Sequence, residues 1–526
     1  MRRTGTMIAA LGAVLTFAGI SQAATLEAGP GKPYATPCEA IAAAQPNDVI
    51  EVQPGTYTDS CYINTAGITV RGVGGRPKVD LSGTDHPAGY KGIYVIGADN
   101  VTIENMELTG ANISCGNGAN GAGLRVEAAG LTVRGCYIHD NQDGILGGFG
   151  TVTIEYTEFA RNGLGDGCNC GGCTHNIYIG GSVDKLAFRY NYSHDIATDG
   201  HLLKSRASVN EILYNRLTGE SGHDSYEIDL PNGGLAIVIG NLVQKGTNPG
   251  NPILFTWGEE GGLKPDTRVF VANNTFVNDY GSGTFIKIAG GGTLTAHNNL
   301  FVGPGTVSTT GALSADNLSG IDPLFVNAAS YDYHLTAGSP AIDTGVDPGM
   351  ADSMSLTPTN QYVHPANTEP RSIVGSAIDV GAYEYGNPSG GAGGTGGSGG
   401  SSTGGSAGTG GASTGGSGGQ ATGGAAGSDT GGSGGTGGAS TGGTGGGAAG
   451  GSAGSGGSPG TGGASAGGSA GSATGGSAGA PAAAPQPASD SGCSCRTAQS
   501  TSGAFSMASL VLSAIAAVGL ARRRRR

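Results

Sequence analysis

Along the middle of the chain, short apolar stretches alternate with turn-forming residues, and none keeps the 3.6-residue spacing of an amphipathic helix. One pattern returns: an apolar β-rich triplet, then Asn, then another apolar pair. It reads FRYNYS at Asn191, ILYNRL at Asn215, VIGNLV at Asn241, VANNTFV at Asn274 and AHNNLFV at Asn299, in steps of 24, 26, 33 and 25 residues. Weaker copies lie at VTIENMEL around Asn105, LTVRGCYI around Gly135 and VTIEYTEF around Tyr156. Asn or Gly at this point predicts a tight turn in the left-handed conformation, which these residues tolerate best. A second strand set keeps the same beat at Leu124, Ile145, Ile177, Leu203, Ile228, Leu254 and Ile286. A period in this range is the mark of a solenoid, with coils of about 25 residues stacked into parallel sheets. If Ile177, Leu203 and Ile228 point inward, then Tyr178, Lys204 and Asp229 point outward on successive coils, with Glu227 on the same side as Asp229.

With this beat the chain resembles the right-handed parallel β-helix proteins of the pectate-lyase type over residues 47 to about 310. The resemblance implies an all-β solenoid, and PCEAIAAAQ (Pro37 to Gln45) reads as a short N-terminal helix shielding the first coil's open edge. Further on, Asp322-Pro323-Leu324-Phe325, Tyr333-His334-Leu335, Gly338 to Asp343 and Asp379 to Glu384 resemble the choice-of-anchor closing domain of anchored bacterial β-helices. These residues read as structural.

Composition divides the chain further. Of 526 residues 106 are Gly, and most of the excess lies in a Gly/Ser/Ala/Thr segment without aromatics that cannot bury enough apolar surface to order itself. The expected organisation is a signal peptide over 1–23, the β-helix over 24–320, the closing domain over 321–386, a disordered linker over 387–490 and a tail over 491–526. In that tail, a largely apolar 18-residue stretch from Ala504 to Ala521 precedes five arginines and would make about 27 Å of helix, just enough to span a bilayer. With Cys493 and Cys495 just before it, the arrangement resembles the myxobacterial C-terminal sorting tags, which implies membrane or lipid attachment at the cell surface after export. The formal net charge is −13, and it is more negative still without the terminal arginines, which disfavours nucleic acid as a partner. A monomer is expected.

The cysteines fit export. Cys38 and Cys61 are 23 residues apart and Cys115 and Cys136 are 21 apart, nearly one coil each, so each pair could stack into a disulfide. Cys168, Cys170 and Cys173 with His175 offer either a zinc site or one disulfide plus a spare thiol.

The chemistry concentrates on three consecutive coils and the loop after the fourth. HNIYIG carries His175 and Tyr178; GHLLKSR carries His201, Lys204 and Arg206; SYEIDLPNGG carries Tyr226, Glu227, Asp229 and Asn232; TWGEEGG carries Trp257, Glu259 and Glu260. Lys204 could act as general base beside a uronate carboxylate that Arg206 neutralises, with Tyr178 or His201 assisting. The Lys and Arg pairing resembles alginate lyases and chondroitinases of the β-helix type, which implies β-elimination of an acidic polysaccharide, sometimes with calcium; in those the arginine sits about one coil later, where this chain has Asp229. Two other readings stay open. Glu227 and Asp229, with Cα atoms about 6.6 Å apart on one strand face, suit an inverting polysaccharide hydrolase or a calcium site. A noncatalytic carbohydrate-binding adhesin would use His175, Tyr226, Asn232, Trp257, Glu259 and Glu260 only to hold sugar, with Trp257 stacking on a ring.

Overall fold

The computed structural model describes residues 23–84, 87–164 and 174–387. The linker and sorting tag, nearly all of the signal peptide, and Cys168, Cys170 and Cys173 lie outside the described residues. Within them the chain winds as a parallel β-helix, each turn adding a strand to each of three walls. The first and third walls form a 20-stranded sheet joined through the long strand Asp143–Glu155, and the second wall is an 11-stranded sheet. Strands Val209–Leu213, Arg216–Thr218 and Ile228–Leu230 belong to the first, second and third walls in turn.

Alternation of side chains fixes what faces in. On the first wall Ile154, Phe188, Ile212, Val238 and Val271 stack in register; on the second, Ile138, Phe159, Ser193, Leu217 and Val243 do so. Ile177, Leu203 and Ile228 are fully buried, as their spacing predicts. At the next coil the register falls one residue later than expected, because Phe255 rather than Leu254 pairs with Ile228.

The recurring Asn residues build the corner between the first and second walls. Asn191, Asn215, Asn241, Asn274, Asn299 and Asn317 form an amide ladder in which each Nδ2 donates to the next Oδ1 at 2.9–3.0 Å. Each of these oxygens from Asn215 onward also accepts the backbone N–H of the preceding Asn, so the corner's buried polar groups are paired coil to coil. The left-handed residue is the one before the ladder position: Tyr190, Tyr214, Gly240, Asn273 and Asn298 have φ of 51–66°. A second ladder, Asn141 to Asn162 to Asn176, lines the corner between the second and third walls.

At the start, helix Pro37–Ala43 is capped by the Thr36 hydroxyl and packs Ala40 and Ile41 into the main core. Cys38 and Cys61 are disulfide-bonded. The expected Cys115–Cys136 pair does not form: Cys136 is a free thiol inside the core, whereas Cys115 is disulfide-bonded but sits on an exposed turn outside the wall.

Residues 321–387 do not extend the coil. They run back over the outer faces of the first two walls, where Ala351 and Leu356 cover Leu213, Ile237 and Ile239, and Tyr333, Tyr362 and Tyr383 cover Tyr192, Leu242 and Val277. Polar bonds pin this tail: Asn273 Nδ2 donates to the Asp379 carbonyl at 2.9 Å and Thr359 N–H to Tyr214 Oη at 3.1 Å. The motif acids serve the tail's own backbone, since Asp379 accepts from Asp343 and Tyr385 N–H groups and Glu384 pairs with buried Arg371 at 3.0 Å.

Candidate active site on the third wall

The third wall carries a single outward column through four paired steps: Tyr178 beside Lys204, Lys204 beside Asp229, Asp229 beside Thr256 and Thr256 beside Lys287. The predicted placement of Tyr178, Lys204 and Asp229 holds. Thr256 and Lys287 continue the column, and the coil period alone was the signal that could have found them. The strand register puts the heads of this column into contact with the loops that follow each strand.

Asp229 is the hub. Its Oδ2 lies 3.3 Å from Lys204 Nζ and 3.1 Å from His201 Nδ1, the latter off the line of a hydrogen bond. Lys204 Nζ also donates to Glu260 Oε1 at 3.0 Å. Arg206, two residues along the same face, donates Nη2 to Glu260 Oε2 at 2.6 Å, Nη1 to Asn232 Oδ1 at 2.6 Å and Nε to Tyr178 Oη at 2.8 Å. Seven of the expected residues are therefore joined in one chain of contacts: His201, Asp229, Lys204, Glu260, Arg206, Asn232 and Tyr178. Glu259 turns the other way, accepting from Thr256 and Tyr226 hydroxyls and from Lys287.

Behind the column stand two buried histidines. His175 Nδ1 accepts the backbone N–H of His201 at 3.1 Å, which fixes its proton on Nε2, and the backbone N–H of His175 donates to Asp143 Oδ1 at 2.8 Å. Burial, together with the charges of Lys204 and nearby cations, pushes the pKa of both rings well below the ordinary value, so both are neutral imidazoles. Lys204 goes the opposite way. Burial works to lower its pKa, but the carboxylates of Asp229 and Glu260 outweigh it and hold the ammonium charged. Asp229 is raised by burial against the pull of Lys204.

Two expected site residues are elsewhere. Glu227 does not share a face with Asp229: the chain turns from the second wall to the third at this point and sends the carboxylate into the corner, fully buried. There Lys245 Nζ, also fully buried, lies 2.6 Å from Asp224 and 2.9 Å from Glu227. Burial pushes the Glu227 pKa well up, against the opposing charge of Lys245. The two carboxylates thus cannot flank a sugar bond or converge on calcium. Trp257 is fully buried too, its Nε1 donating to the Gly234 carbonyl at 2.9 Å, so no ring face is offered to a ligand. Lys245 is the charged residue that sequence reasoning missed; a lysine ending the VIGNLV pattern carries no sign that it points inward.

Residues 66–243 match the family described as right handed beta helix region. No curated protein matches the chain. Among solved structures, a pectate lyase is 18 % identical, with 70 % of this chain and 97 % of that one covered and a TM-score of 0.46. An alginate lyase from a Paenibacillus species is 16 % identical over 56 % of this chain and 99 % of that one, with a TM-score of 0.37. A pectin methylesterase from Aspergillus niger is 15 % identical over 57 % of this chain and 92 % of that one, with a TM-score of 0.30. None of these matches informs the residues of the third wall.

Proposed function

We propose that the third wall holds a carboxylated polysaccharide and cleaves it by β-elimination, in a protein exported and kept at the cell surface by its C-terminal tag. The observation that carries this reading is the cation fork of Lys204 and Arg206, side by side on one outer face and each meeting a carboxylate oxygen at hydrogen-bond distance. Such a fork suits a planar carboxylate. A wall of stacked strands, ruled at about 4.8 Å, suits an extended polymer. The Cys38–Cys61 disulfide fits an oxidising compartment.

Elimination from a uronate needs the carboxylate neutralised, the proton on the adjacent carbon removed and the departing glycosidic oxygen protonated. Lys204 and Arg206 answer the first need. Because Lys204 stays charged, the base expected there moves to His201, a neutral imidazole beside Asp229, which would steady the imidazolium that forms. Tyr178 accepts from Arg206 and keeps its own O–H to give to the leaving oxygen. The C–H electron pair becomes the new double bond as the C–O bond breaks, and the two proton transfers balance.

The test is incubation of the full chain with polygalacturonate, alginate and chondroitin against a neutral glucan. The expected result is the ultraviolet absorbance of unsaturated uronate ends from an acidic polymer, lost by about 100-fold or more in His201→Ala with the fold intact. New reducing ends without that absorbance would mean hydrolysis, binding without new ends a noncatalytic surface protein, and cleavage of the glucan would remove the carboxylate seat from the account.

A further inference from the structure

Glu260 stands where a ligand's carboxylate would have to stand. One of its oxygens takes Lys204 and the other Arg206, at 3.0 and 2.6 Å. Its side chain is 46 % exposed while those of Lys204 and Arg206 are 10 % and 17 % exposed, so the carboxylate closes the fork from the solvent side. We propose that Glu260 is a built-in competitor: it fills the anion seat of the fork and has to swing out before an acidic polysaccharide can bind. The inference rests on the reading of the third wall given above and adds its regulation.

The seat survives Glu260's departure. Arg206 stays fixed by Tyr178 Oη and Asn232 Oδ1, and Lys204 by Asp229, leaving one donor of each cation aimed at the vacated place. The backbone need not move either. Glu260 N–H is bonded to the Pro231 carbonyl, Lys264 N–H to that of Asn232, and Lys264 Nζ to that of Gly181. Gly261 and Gly262 follow at φ of 72° and 59°, and the half-exposed Glu260 side chain borders solvent, into which it can rotate. The adjacent Glu259 is held by Thr256, Tyr226 and Lys287 on the far side of the column, so it cannot replace Glu260 in the fork.

A competitor tethered in the site lowers the apparent affinity by the fraction of molecules in which it is bound. Removing its charge should raise affinity for a carboxylated ligand by about tenfold, given two partly exposed ion pairs lost. The experiment is calorimetric titration of the full chain and of Glu260→Gln with oligogalacturonate and oligoguluronate, and with methyl-esterified oligogalacturonate as the neutral probe, thermal unfolding confirming equal folding. Tighter binding of an acidic oligosaccharide by Glu260→Gln, with the ester unaffected, supports the competitor, as does binding by the variant alone. Equal or weaker binding by Glu260→Gln where the wild type binds overturns it and leaves the wall's function standing. Binding of neither acidic probe by either protein overturns both.

Discussion

The outer faces of this β-helix are finished in two chemistries. On the first and second walls the outward residues of the later coils include an apolar set, Leu213, Ile237 and Ile239 or Tyr192, Leu242 and Val277, and the tail lies on them. On the third wall they are Tyr178, Lys204, Asp229, Thr256 and Lys287, and the loop after Trp257 reaches over them with two glutamates. A solenoid offers nearly the same geometry on each side. What separates a structural side from a functional one here is the kind of cover: apolar burial, which is costly to undo, or ion pairs to a half-exposed glutamate, which exchange more readily with solvent and ligand.

The comparison breaks most visibly at the corner where the second wall hands over to the third. Lys245→Ala would leave Asp224 and Glu227 buried without their cation, and a loss of about 3–5 kcal/mol in chemical denaturation is expected; a loss near zero would mean that the corner does not depend on that charge. Next in size is the tail. Tyr362→Ala removes a buried ring from the cover of the second wall and should cost about 3 kcal/mol, with binding of acidic polymers to the third wall unchanged; weakened binding would show that the two sides are not independent. Smaller is the Asn ladder, where Asn215→Ala leaves its neighbours' amide groups unpaired and should cost about 1–3 kcal/mol in the same assay.

The last contrast is a slope with pH. Burial raises the Asp143 carboxyl to about 8. In the fold it keeps its proton where the unfolded chain has lost it, so its contribution to stability is whole below about pH 4 and is lost as pH rises through about 8. Unfolding followed from pH 5 to 9 should show stability falling, and Asp143→Asn should flatten that fall; an unchanged slope would place the titration elsewhere.

These contrasts also show what could be read in the sequence. Inward Ile177, Leu203 and Ile228 carry the alternation of regular strands, and so Tyr178, Lys204 and Asp229 could be placed on one column before any coordinates. Alternation failed where strands end. Glu227 sits at a corner, where the chain changes direction and a residue two before Asp229 no longer shares its side. Trp257 reads as part of the loop after its strand, whereas it is the last residue of strand Ile253–Trp257, and counting inward positions from Phe255, which pairs with Ile228, puts it inside. The tail's course over two walls was illegible because its apolar residues are scattered among turns, and their partners are the outward Leu, Ile and Tyr residues of distant coils.

The most direct trial of the account is the affinity of the full chain for an acidic oligosaccharide as salt is raised, for wild type beside Arg206→Gln. The account predicts binding that weakens steadily with salt in the wild type and falls by about 100-fold in the variant, with the melting temperature unchanged. Equal affinity in the two proteins, or equal affinity for the neutral ester, would contradict it.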